Sequence, residues 1–216
     1  MKVAVLSESP ADEAAVRILI QGLLAAEIEE VSFPAPKTRG WKGVLNSVRP
    51  ALYYLHYSTD ADALVVTLDS DESPVHQKGH DLPDRAEKKC RLCQLRSIVA
   101  DVQSQLRSRS GRGPIKTALG LAVPAVEAWY LVGLGRDVTE TAWIQTRQTG
   151  RPPYTKAQLK QRVYGTEKPS LALERQRAIE ETRRLVEQEK LGLLEKSFPS
   201  GFAALADDVR GWSTNE

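Results

Sequence analysis

The order of apolar runs along the chain predicts an α/β protein: a mainly parallel, four-stranded Rossmann-like sheet with flanking helices and a helical C-terminal appendage. Three observations carry this expectation. Short runs rich in strand formers alternate with segments of helical periodicity, the pattern of a doubly wound sheet. The third run, residues 63–68, is almost continuously apolar, as in a strand covered on both faces. Beyond residue 136 the composition shifts to long polar stretches and a charged amphipathic helix, so the 216 residues, 41% of them hydrophobic, divide into an α/β core of about residues 1–135 and a helical appendage of 136–216.

Each element follows from local chemistry. Residues 2–7 form the first strand, and Ser9, Pro10 and Asp12 turn it directly into a helix through a capping hydroxyl, a first-turn proline and an acid at the positive helix end. Val16, Leu19, Ile20, Leu23 and Leu24 recur at helical spacing. Val31, Ser32 and Phe33 read as a short second strand before Pro34 and Pro36, and residues 41–57 as a helix kinked at Pro50. The third strand ends in Asp69-Ser70-Asp71-Glu72, followed by an insertion at about residues 72–86 with Gly79 and Pro83. A helix over 86–109, a fourth strand over 115–123 and a helix opened by Pro124 and ending near Gly133 or Gly135 complete the core. In the appendage, Arg151, Pro152 and Pro153 mark a turn, residues 171–190 a charged amphipathic helix suited to solvent or a partner, and residues 197–202 the approach to a final helix.

Composition narrows the function classes. Thirty Lys and Arg against 28 Asp and Glu leave a charge of +2, which argues against a uniformly basic nucleic-acid wrapper or a polybasic membrane binder. No apolar run approaches the roughly 20 residues of a membrane helix, and Glu8 interrupts the opening run before a signal-peptide core forms, so a cytoplasmic protein without a membrane partner is expected. Two cysteines, Cys90 and Cys93, are too few for a disulfide framework. There is no P-loop, no Gly-x-Gly-x-x-Gly and no Ser-His-Asp order, and the four tryptophans are expected to pack the interior.

The predicted strand ends carry Glu8, then Asp69 and Asp71, and Glu127 lies in the first turn after the fourth strand. In a parallel sheet these carboxylates share one rim, the rim where ligands bind. Carboxylates at that density raise one another's pKa or share a divalent cation, and hard oxygen ligands suit Mg²⁺ or Mn²⁺. The alternative is a polar turn at Asp69-Ser70-Asp71 and helix N-terminal acids at Glu8 and Glu127.

Glu8 after the first strand and Asp69-x-Asp71 after the third resemble the Toprim domain, the Rossmann-like catalytic module of topoisomerases, primases and OLD-family nucleases. Val-Pro-Ala-Val-Glu127-Ala-Trp129-Tyr-Leu, Leu-Lys-Gln-Arg-Val-Tyr-Gly and Ser-Phe-Pro-Ser-Gly-Phe are similar to an uncharacterised family of bacterial Toprim-like proteins. The resemblance implies that Glu8 serves as general acid and base, that Asp69 and Asp71 hold Mg²⁺, and that Glu127 is a further ligand. It also implies a setting in phage-defence or mobile-element loci, sometimes with an ATPase partner. Such families often place a glycine directly after the first glutamate, where this chain has Ser9, with Asp12 and Glu13 beyond.

Charge is segregated along the chain. Residues 60–72 are purely acidic in their charges, whereas residues 85–116 hold nine basic side chains, among them Arg85, Lys88, Lys89, Arg91, Arg96, Arg112 and Lys116, against Glu87 and Asp101. An anionic metal pocket beside a basic segment suits a phosphodiester, with cations positioning the backbone; a solvated helix face is the competing account. His76-x3-His80-x9-Cys90-x2-Cys93 supplies the ligand set of a structural zinc site, in reversed order from the familiar finger. Against it stands a pair of buried helix cysteines with two loop histidines; a redox Cys-x-x-Cys lacks the preceding thioredoxin-like strand.

The expected function is metal-dependent phosphodiester cleavage of DNA or RNA by Glu8, Asp69, Asp71 and Glu127. The alternative is a non-catalytic module of the same fold acting through a protein partner, and a third reading is phosphoryl chemistry on a small phosphate.

Overall fold

The computed structural model describes the chain except residues 35–39, 83, 86, 110–112, 136, 149, 151–152 and 214–216. Pro36, Pro83, Arg112, Arg151 and Pro152 therefore lie outside the described residues.

Four parallel strands, β1 (Lys2–Leu6), β2 (Glu29–Glu30), β3 (Ala63–Asp69) and β4 (Lys116–Ala122), form one sheet in the order β2-β1-β3-β4. The chain steps from β1 outward to β2 through α1 (Pro10–Leu24), returns through α2 (Trp41–Ser58) to β3, and continues through α3 (Arg91–Gln105) to β4. Because parallel crossovers are right-handed, the reversal puts α1 on one face and α2 and α3 on the other. It also leaves a crevice between the carboxyl ends of β1 and β3, the topological switch point of the sheet.

Local sequence explains the entry to α1. Ser9 is its N-cap, its Oγ accepting from the Asp12 amide at 3.2 Å, with Pro10 at the start of the helix and Asp12 and Glu13 in the first turn. The second strand lies two residues before the apolar triplet that predicts it: Glu29 and Glu30 pair with Lys2 and Val3, and the Val31 amide still donates to the Val3 carbonyl at 3.1 Å. At a sheet edge, backbone pairing rather than side-chain hydrophobicity sets the strand. The third helix, Arg91–Gln105, is shorter than the expected 86–109, because the backbone is extended at Cys90 before it and at Leu106 after it. After β4, a cis Val123–Pro124 peptide leads into the short α4 (Glu127–Tyr130).

The C-terminal segment holds α5 (Glu140–Gln148), α6 (Lys156–Tyr164), α7 (Leu171–Glu187), α8 (Leu191–Ser197) and α9 (Phe202–Arg210), of which α7, α8 and α9 pack with α1. The α7 helix packs along α1, and α9 lies on β4 and α1. Phe202 meets Trp129 edge-on with ring centroids 5.3 Å apart, both fully buried. Gly201 allows this approach, since a Cβ there would lie 2.0 Å from the Leu121 carbonyl oxygen. Beside it, the buried Glu140 carboxylate accepts from the Ser200 amide and hydroxyl. Among the described residues no helix is long and apolar enough to cross a membrane.

Candidate acidic site and candidate metal centre

The crevice between β1 and β3 gathers the acids. Asp69 is the last residue of β3, and its amide donates to Glu8 Oε1 at 2.9 Å, which ties the residue after β1 to the end of β3. Asp69 Oδ1 accepts from the Val126 amide at 3.0 Å, bringing in the turn before Glu127. The Asp69-Ser70-Asp71 turn is anchored by backbone bonds from Ser70 to the Ala122 carbonyl and from Asp71 to the Pro124 carbonyl, at 2.7 and 2.9 Å. Asp71 adopts a left-handed backbone with φ of 46°, a region aspartate tolerates better than most residues. Its carboxylate meets Lys156 and Arg91, the same two cations that reach Asp69.

Among the described residues three cations reach these acids, and two of them come from the segment beyond residue 136. Lys156 Nζ lies 2.8 Å from Asp69 Oδ2 and also donates to Asp71 Oδ1. Arg91 Nη1 donates to Asp71 Oδ2 at 2.6 Å and to the Asp69 carbonyl at 2.5 Å, passes 4.0 Å from Glu8, and stacks over Trp41 with Cζ 4.6 Å from the ring centre. Lys160 Nζ stands 3.8 Å from Glu127 and 2.9 Å from Glu174, and the Tyr164 hydroxyl donates to Glu127 at 3.3 Å. A small cleft lined by Ser7, Glu8, Asp12, Thr67, Asp69, Val126 and Trp129 opens at the centre. Among the described residues the buried indole N–H of Trp129 meets no hydrogen-bond partner.

Among the described residues six carboxylates, including Asp12 and Glu174, face three cations, and burial and mutual repulsion shift their protonation. Burial, then the charge of Asp69, pushes Glu8 and Glu127 each up to about 7. Asp12 and Asp69 are raised in the same way, mainly by burial. Asp71 is also pulled upward by burial, but hydrogen bonds from Lys156 and Arg91 outweigh it and hold the group below the usual carboxylate range. Burial opposes the charge on Lys156, yet Asp69 and Asp71 keep the ammonium firmly protonated. A buried excess of negative charge with two glutamates near neutrality is an environment that favours a bound cation and proton transfer.

Glu8, Asp69, Asp71 and Glu127, the four acids singled out in the sequence, therefore lie at one crevice. Lys156, Lys160 and Tyr164 have no strand-end signal to announce them. A trace is present nonetheless. Thr155 and Gln158 form a complete capping box, so Lys156 opens a helix. A lysine at that position opposes the helix dipole unless acids face it.

Among the described residues the basic run is divided between the crevice and the surface. Arg91 is buried in the acidic crevice, and Arg96 pairs with Asp81. Lys116 donates to the Trp212 carbonyl at 2.6 Å at the start of β4, roughly 20 Å along the strand from the residue paired with Asp69. Arg85, Lys88 and Lys89 are exposed before α3 and remain available to a ligand, and Arg112 lies outside the described residues.

The second cluster forms where β3 hands over to α3. His76 lies in the loop, His80 in a 3-10 turn (Lys78–Asp81), Cys90 at the N-cap of α3 and Cys93 in its first turn. One ligand atom from each, Nδ1 or Nε2 of histidine and Sγ of cysteine, lies within 4.8 Å of all the others.

The fold and its rim define a parallel α/β protein with an acidic switch-point crevice. Compared with family models, curated proteins and solved structures, the chain matches none.

Proposed function

We propose that this protein is a metal-dependent phosphodiesterase of the Toprim type acting on nucleic acid. The reading is supported above all by one observation: Glu8, Asp69 and Asp71 converge at the switch point, close enough for the Arg91 guanidinium to reach all three residues. Asp69 and Asp71 would hold Mg²⁺ or Mn²⁺, whose hard-ligand preference their oxygens satisfy. Bound there, the ion supplies charge stabilisation to a phosphoryl oxygen. Glu8, near 7 in the metal-free protein, is suited to take and return a proton at neutral pH. Arg91 and Lys156 carry positive charge into the crevice, where they can orient a phosphate, and Arg85, Lys88 and Lys89 extend that charge to the surface.

A second reading has its own support. Lys156 already bridges Asp69 and Asp71, so the two aspartates are partly neutralised without a metal, as a non-catalytic module would require.

Incubating the full chain with single- and double-stranded DNA and RNA in Mg²⁺ or Mn²⁺ separates the two. Cleavage that EDTA abolishes and that Asp69→Asn abolishes supports the enzyme. Cleavage of no substrate with either ion, or cleavage unchanged in Asp69→Asn, supports the binding module. A nucleic-acid substrate also demands a steep loss of binding with added salt, which a small phosphate would not show.

A further inference from the structure

We infer that His76, His80, Cys90 and Cys93 form a tetrahedral structural zinc site, and that this site positions Arg91 in the acidic crevice.

The geometry carries the first half. His76 Nδ1 lies 3.7 Å from Cys90 Sγ and 3.5 Å from Cys93 Sγ, and His80 Nδ1 lies 3.7 Å from Cys93 Sγ. Ligands at ordinary zinc–sulfur and zinc–nitrogen distances on tetrahedral corners have sulfur and nitrogen about 3.6 Å apart. All three separations match that edge. Two imidazoles and two thiolates in a closed set favour zinc over a hard cation.

The surroundings support a ligand role for the same atoms. His76 presents Nδ1 to the sulfurs, and its Nε2 lies 3.1 Å from Asp81 Oδ1 and 3.2 Å from Arg96 Nη1; a proton on Nε2 directed to Asp81 leaves Nδ1 free to bind a metal. Arg96 in turn holds Asp81. Both cysteines sit at the N-terminus of the fifteen-residue α3, Cys90 as its N-cap and Cys93 in its first turn, so one helix end presents both sulfurs to the histidine loop. Simple core packing accounts for Cys90, which is fully buried, but gives no reason for both histidines to aim a ring nitrogen at the sulfurs.

The second half follows from chain order and rests on the function proposed above. Arg91 lies between the two cysteine ligands, and its guanidinium binds Asp71 and the Asp69 carbonyl. Zinc fixed to Cys90 and Cys93 from one side and to His76 and His80 from the other would lock the first turn of α3 against the loop leaving Asp71. Arg91 is then held in the crevice by the metal on one flank and by Trp41 on the other. It is a positioning link from a structural metal to the acidic site.

The test reads metal content and spectrum first, so that it stands apart from any activity. The full chain, purified without chelators, should carry about one zinc. Cobalt replacing it should give the visible bands of a tetrahedral site together with sulfur-to-cobalt charge transfer. Cys90→Ser with Cys93→Ser should lose the metal, whereas Asp69→Asn with Asp71→Asn should keep it. Arg91→Ala should also keep it. A wild-type protein that holds no zinc even after reconstitution, or a cobalt spectrum without sulfur ligation, overturns the site whether or not the cysteine variant folds. Activity in a zinc-free but folded His80→Ala protein equal to wild type overturns the link to Arg91 while leaving the phosphodiesterase reading intact.

Discussion

Lys156 reaches across from the start of α6 to Asp69 at the end of β3, ammonium nitrogen 2.8 Å from carboxylate oxygen, and binds Asp71 as well. The segment beyond residue 136 thus supplies a charged group to the crevice, besides covering one face of the sheet. A lysine in this place marks where positive charge is favoured, and a divalent ion bound by both aspartates must share or displace it.

Lys156→Met should therefore leave Asp69 and Asp71 without their shared counter-charge. In EDTA its melting temperature should fall below that of wild type at pH 8, and Mg²⁺ should restore more stability to the variant than to wild type. Thermal melts with and without Mg²⁺ check this. Equal Mg²⁺ responses in the two proteins would show that the lysine and the ion do not compete.

The pH dependence has a definite sign. Glu8 and Glu127 are raised in the folded chain to about 7, so the folded state binds more protons than the unfolded state between the ordinary glutamate range and 7. Stability of the metal-free protein should fall as pH rises through that window. Asp71, held low, contributes stability that is lost only when pH falls through its own, lower range. Urea melts in EDTA at pH 5.5 and 8, conditions of about that span, should thus show the protein more stable at the acid end. Glu8→Gln should flatten the slope.

Glu8→Gln should also slow cleavage by about 10²–10⁴-fold if Glu8 transfers the proton, with little effect on Mn²⁺ affinity. Single-turnover rates and Mn²⁺ titration on the same variant separate proton transfer from metal binding. A large loss of Mn²⁺ affinity with a small rate effect at saturating metal would reassign Glu8 as a ligand.

Gly201→Ala tests the packing that closes the fold. Its Cβ would enter the space of the Leu121 carbonyl, a backbone atom in the central layer that cannot swing aside. The cost should exceed about 2 kcal/mol in urea unfolding. Zinc content should be unchanged in the fraction that remains folded, because the contact involves none of the four ligand residues.

The sheet and its acidic rim were legible because both depend on local order. Apolar runs mark β1, β3 and β4, and Glu8, Asp69 and Asp71 stand directly at or beyond two of their ends. The edge strand β2 was displaced because two residues of backbone pairing leave no apolar signature. Lys156, Lys160 and Tyr164 were invisible as site residues because packing of a distant helix, not spacing, brings them to the acids. The inward course of Arg91 was not legible for a related reason: its place in the first turn of α3 and the Trp41 ring, not composition, direct it onto Asp71.

Binding of Mn²⁺ to the zinc-loaded protein at pH 8, followed by electron paramagnetic resonance in wild type and in Asp69→Asn with Asp71→Asn, bears most directly on the acidic crevice as a metal site. Saturable binding in wild type, weakened more than about tenfold in the variant, is expected. Binding that is absent in wild type, or equally tight without the two aspartates, would contradict it.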